Sequence, residues 1–192
     1  IVSILIFTIY KEGEGYLYWL WIFFIISGSC NSYNLTDGLD GLLASISLLS
    51  ITGIGFLLYI QGFPELVAFS SILFGSIAGF LYFNKHPAKV FMGDTGSLAI
   101  GGIVGTLAVI SKAELFLAFF ATVPIIEALS VIIQVISSQF SRRFLKKDIR
   151  IFKMTPIHHH FELIGWKETK VVGVFFIFQL LCICVGVLVL MF

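Results

Sequence analysis

The chain has 192 residues, of which 58% are hydrophobic and 12% charged, and its mean hydropathy is +1.03. That balance leaves too little polar surface to cover a soluble domain of this size and points to a chain that lives in lipid. The net charge of +1 excludes nothing by itself, so the information lies in where the charges fall.

Residues 1–10 are apolar but too short to cross a bilayer, which takes about 20 residues of helix. The chain starts at Ile1 inside that stretch, without the basic opening of a signal peptide. It is therefore read as the end of a helix whose beginning lies upstream. Charge-free runs then follow at 15–36, 41–64, 66–84, 95–111 and 171–192, and 115–141 is interrupted only by Glu127. The runs are continuous rather than alternating, so helices are expected and not barrel strands. The expected fold is all-α: a polytopic bundle of six full spans plus the N-terminal partial span. Residues 1–192 are expected to form one integral-membrane catalytic domain. Cys30, Cys182 and Cys184 all fall in apolar runs, without metal-ligand spacing or a disulfide framework.

Alternating the spans places residues 34–40, 84–96 and 141–170 on one side of the membrane. That side holds Lys85, Lys89, Arg142, Arg143, Lys146, Lys147, Arg150, Lys153, Lys167 and Lys170, leaving only Lys11 and Lys112 opposite. The positive-inside rule makes it the cytoplasmic side. The acidic and histidine-bearing loops share it.

The first of these loops reads Asn34-Leu-Thr-Asp37-Gly-Leu-Asp40-Gly41. A helix cap would need one such polar residue, whereas two carboxylates three apart, each followed by glycine, suit a site the backbone can approach closely. The second runs from Asn84 through Lys85, Lys89 and Phe91 to Gly93-Asp94-Thr-Gly96-Ser97. A carboxylate between glycines at a helix start suits Mg²⁺ held against phosphate oxygens, and Thr95 or Ser97 alone could serve as the cap. Asp94-Thr-Gly-Ser also spells the aspartic-protease tetrapeptide, but here it opens a hydrophobic helix, and the match is accidental. The third loop carries a basic run and then Pro156-Ile-His158-His159-His160-Phe-Glu162. The basic run is explained by topology and anionic head groups. Adjacent helical residues diverge by about 100°, so three consecutive histidines do not easily face one ion; phosphate contact or proton handling fits better. Glu127, Ser130, Gln134 and Ser138 form a polar stripe on one face of the 115–141 run. The stripe serves either interhelical hydrogen bonding or, through Gln134, the active cavity.

Taken in order, the segments 34–41, 90–97, 127–134 and 156–163 resemble the polyprenyl-phosphate N-acetylhexosamine-1-phosphate transferases. The Pro-Ile-His-His-His-Phe-Glu-Leu block is similar to that of the muramoyl-pentapeptide branch. The resemblance implies a multi-pass bacterial inner-membrane enzyme with its active site on the cytoplasmic face. It would move phospho-MurNAc-pentapeptide from UDP to undecaprenyl phosphate with Mg²⁺. It implies Asp37, Asp40, Asp94 and His159 as catalytic residues, with Asp94 the metal ligand. Asn34, Gly38, Leu39, Asn84, Phe91, Gln134, His158 and His160 would contact substrate. The implied partners are UDP-MurNAc-pentapeptide, undecaprenyl phosphate and membrane lipids; a homodimer is left open, and no nucleic acid is expected. The family also carries an earlier aspartate-rich motif that this sequence lacks, so the chain alone is expected to miss part of the catalytic set. A transferase of the same family using UDP-GlcNAc is the nearest alternative, and a proton-coupled secondary transporter the alternative of another class.

Overall fold

The computed structural model describes residues 15–147 and 149–192; the stub at 1–10 lies outside them. Helices stand at all six expected segments: α1 Tyr16–Thr36, α2 Leu42–Ile60, α3 Pro64–Asn84, α4 Gly93–Ile110, and a divided helix over 117–140 preceding the last. That divided helix comprises α5 Leu117–Phe120 and α6 Thr122–Phe140, and it runs on into a π-helical turn at Ser141–Leu145. A short α7, Ile157–Leu163, and the long α8, Glu168–Met191, complete the bundle. Among the described residues there is no strand.

Five of these helices are long and apolar enough to cross a membrane: α2, α3, α4, α6 with its π turn, and α8. The sixth expected span, α1, is long enough at 21 residues. Its second half, however, carries Ser27, Ser29, Asn31, Ser32 and Asn34, which lower its apolar character. Two of those polar residues face neighbours: Ser29 and Ser32 are buried, whereas Asn31 and, in the first half, Phe23 and Phe24 are exposed.

α1 packs most extensively on α4, and the reason is a seam of small residues. Ser97, Gly101 and Gly105 recur every fourth residue, one face of a helix. A Cβ on Gly101 would run into the Ser29 carbonyl, and one on Gly105 would lie 2.9 Å from Ser29 Oγ. Without side chains there, the two backbones close to contact, as small-residue seams permit in membranes.

The 115–141 run was expected as one span and is not continuous. At Ala121 the backbone leaves the helical region (φ −130°, ψ 32°), and Pro124, which has no amide to donate, sits just beyond. Gln179 of α8, fully buried, repairs the break. Its Oε1 accepts the Val123 amide at 2.9 Å, and its Nε2 donates to the Phe119 and Phe120 carbonyls at 3.1 and 3.0 Å. An apolar bundle tolerates a broken helix only when such freed backbone groups are re-paired. Phe120 fills the core beside it, pressed against the Cβ-less faces of Gly53 and Gly186.

Candidate functional site

The seam between α1 and α4 delivers the end of one helix to the start of the other. Asn34, in the last turn of α1, donates through Nδ2 to Asp94 Oδ1 at 3.1 Å and to Ser97 Oγ at 2.9 Å. Ser97 is buried and turns its own hydroxyl back to the Gly93 carbonyl at 3.1 Å. Gly93 holds φ +67°, a conformation glycine adopts without strain, and sets Asp94 in the first turn of α4. Its amide approaches the carboxylate of Asp37, which closes α1, closely enough to favour the charged form.

Asp37 and Asp94 thus belong to one electrostatic unit. Burial pushes the Asp37 carboxyl up from its ordinary range, the negative charge of Asp94 pushes it further, and the Gly93 amide offsets part of this. Two oxygen-donor carboxylates crowded at a helix N-terminus form a donor set that a hard divalent cation would relieve.

Asp40 does not join that pair. Its Oδ2 accepts the Ala88 amide at 2.9 Å and lies 3.1 Å from His86 Nδ1. His86 Nδ1 is also 3.3 Å from Glu168 Oε2, while Glu168 Oε1 accepts the Asp40 amide at 2.6 Å. Ligand atoms of these three residues lie within 4.8 Å of one another. Asn84, buried, ties the same two loops a second time: Oδ1 accepts the Gly41 amide at 3.1 Å and Nδ2 donates to the Val90 carbonyl at 2.9 Å. Leu39 points inward, packed with Leu42, Ile46, Val123, Val171 and Phe175. Phe91, by contrast, is 75% exposed.

The histidine triplet lies in the first half of α7, and its side chains go three ways, as helical spacing requires. His158 is 1% exposed and places Nδ1 3.1 Å from Oε1 of the fully buried Glu127. His159, half-buried, places Nδ1 2.7 Å from Glu162 Oε2. His160 Nδ1 accepts the Lys153 amide at 3.1 Å. Gln134 Oε1 accepts the Phe152 amide at 2.9 Å, and Ser141 Oγ the Ile149 amide at 3.0 Å. The polar stripe of α6 therefore fastens the third loop and α7 onto the bundle.

Asn34, Asp37 and Asp94 meet as one group, and Gly38 touches His158. Asp40 and Asn84 brace the first loop to the second, while Gln134 and His160 brace the third. His86 and Glu168 were not singled out by sequence, since they stand 46 and 128 residues from Asp40 and share no motif with it. A histidine before Pro87 in an otherwise cationic loop was the one local signal available.

Residues 2–112 match the family model of glycosyl transferase family 4. Curated relatives extend the similarity into the third loop. The phospho-N-acetylmuramoyl-pentapeptide-transferase of Anoxybacillus flavithermus is 47% identical over 173 residues, 90% of this chain and 52% of the relative. The proteins of that name from Bacillus subtilis and Clostridium novyi are 45% and 47% identical, over 90% and 91% of the chain and 52% of each relative. The chain spans about half the length of the curated relatives it matches. By these matches, the chain belongs to glycosyl transferase family 4.

Proposed function

We propose that this chain contributes the Asp37 and Asp94 loops to an enzyme that transfers phospho-MurNAc-pentapeptide from UDP to undecaprenyl phosphate. The products are lipid I and UMP, an early step of peptidoglycan synthesis. The single observation that carries the reading is the junction at which Asn34, in the last turn of the helix that Asp37 closes, holds the Asp94 carboxylate at 3.1 Å. The names of the relatives support the substrate assignment. The clustering of ten cations on the loop side supports a cytoplasmic active face in a bacterial inner membrane: Lys85, Lys89, Arg142, Arg143, Lys146, Lys147, Arg150, Lys153, Lys167 and Lys170.

In the reaction, an oxygen of the lipid phosphate attacks the β-phosphorus of the UDP-sugar. The bond from that phosphorus to the bridging oxygen breaks, and UMP leaves with the bond's electrons. A phosphomonoester has a second pKa of about 6, so the nucleophile is already largely dianionic and needs little help from a base. Orientation and charge neutralisation therefore dominate. Asp94, with Asp37 beside it, would hold Mg²⁺, which when bound offsets the charge that develops on the diphosphate leaving group. Asn34 fixes the Asp94 carboxylate in place. Phe91, exposed at the rim, is a flat surface for the uracil, and His159 stands half-buried for phosphate contact. An apolar groove of about 460 Å³ between α1 and α6, lined by Trp21, Phe24, Ile25, Leu129 and Ile132, supports a seat for the isoprenoid chain.

Radiolabelled UDP-MurNAc-pentapeptide and undecaprenyl phosphate, given to the full-length membrane protein, should yield labelled lipid. Asp94→Asn should lower the rate by at least about 100-fold, the scale of losing one charge-stabilising group. Product formation unchanged in that variant would overturn the assignment of Asp94. Transfer from UDP-GlcNAc in preference to the muramoyl substrate would overturn the substrate.

A further inference from the structure

Asp40, His86 and Glu168 connect three segments distant in sequence, and the donors and acceptors close into a ring. The Asp40 amide donates to one Glu168 oxygen, His86 Nδ1 faces the other, and the same Nδ1 faces Asp40 Oδ2. Both neighbours of Nδ1 are carboxylate oxygens, which can only accept, so the proton sits on Nδ1 and is shared between them. Asp40 Oδ2 also takes the Ala88 amide.

We infer that this ring is a latch and that His86 and Glu168 are positioning residues: they hold the loop that leads into Asp94 against the loop that carries Asp37. Two features make the latch specific. First, the stretch from Asn84 to Val90 is pinned to the first loop at two points, Asn84 to Gly41 and Ala88 to Asp40, and is closed on itself by the bond from Asn84 to the Val90 carbonyl. Only Phe91 and Met92 then separate the pinned stretch from Gly93, whose amide reaches Asp37. The position of Phe91 follows from the latch, whereas Asp94 in the first turn of α4 is held separately by Asn34. Second, Glu168 opens α8, so the latch roots both loops in the C-terminal span rather than in each other alone. His86 is half-exposed at the surface of the latch, so it can be changed without opening the core.

Resting on the proposed function, the expected consequence is in substrate capture rather than chemistry. Releasing the latch misplaces Phe91 on the nucleotide side while leaving Asn34 bonded to Asp94. His86→Ala in the full-length protein should raise KM for the UDP-sugar about tenfold, the range of a charge-assisted hydrogen bond partly open to water, with kcat within about twofold. His86→Gln, whose amide can still donate to a carboxylate, should restore most of the loss. Amide hydrogen exchange gives a readout free of catalysis: protection across 84–92 should fall in His86→Ala and in Glu168→Ala, with the peptides of α1 and α4 unchanged. Unchanged exchange across 84–92 in His86→Ala overturns the latch even if activity falls. An altered exchange pattern in a protein that transfers neither nucleotide sugar leaves the latch standing and overturns the proposed function instead. A loss of kcat at constant KM, not rescued by Gln, assigns His86 to the chemistry and overturns the positioning role.

Discussion

Gly38 and His158 compete for the same space: a Cβ built on Gly38 would overlap His158 Nε2. The first loop can lie over α7 only because position 38 has no side chain, and the imidazole beneath it is held by Glu127 in the membrane-facing bundle. The requirement for glycine here is one of space.

Gly38→Ala should therefore push His158 off Glu127 and leave a buried carboxylate without its donor. We expect a loss of about 2–3 kcal/mol, the range for overpacking combined with an unpaired buried polar group. Thermal unfolding in detergent measures it. A double variant, Gly38→Ala with His158→Ala, should recover only the overpacking share of that loss, because the smaller residue vacates the contested volume but still leaves Glu127 without its partner.

Asp37 makes the site pH-sensitive in a definite direction. Its folded pKa is raised, by burial first and by Asp94 second, so between the unfolded and folded values the native state binds more protons than the unfolded one. Stability accordingly falls as pH rises through that window, and the penalty persists above the folded pKa. Asp37→Asn removes the charge. The variant should be more stable than the parent at neutral pH, with the difference vanishing as pH falls below the unfolded carboxyl range. Melting temperatures of both proteins across the acid range test this; a variant less stable than its parent at neutral pH contradicts it.

Gln179 offers a test in the hydrocarbon. Replacement by Leu keeps the volume close but strands the Val123 amide and leaves the Phe119 and Phe120 carbonyls without their side-chain partner. Destabilisation of about 2–4 kcal/mol is expected from the lost hydrogen bonds in a low-dielectric setting. Half-lives of heat inactivation for the two proteins give the comparison.

Much of this architecture is legible in the sequence, and the rest is not, residue by residue. The six helical segments followed from charge-free runs, and Gly93-Asp94 marked a helix start because glycine and an acidic first turn suit one. The divergence of the histidines followed from helical pitch. The break at Ala121 did not, because its compensation comes from Gln179, 56 residues from Val123. Nor did the bracing roles of Asn84 and Gln134. An amide side chain in a polar motif looks the same whether it meets a ligand or a backbone carbonyl, and only the fold decides. Leu39 is another such case, reading as part of the loop motif yet buried with Leu42 and Ile46.

The Ser97–Gly101–Gly105 seam has a genetic corollary. The gap between Asn34 and Asp94 is set by how near two bare stretches of backbone lie, and Gly105 stands 11 residues beyond Asp94, about 16 Å along the helix at 1.5 Å per residue. A screen for inactivating substitutions should therefore return hits deep in the lipid-embedded stretch of α4, at positions no nucleotide could reach. A bulky residue there would act as a wedge, parting the two carriers of the acidic loops while every acidic residue remained in place.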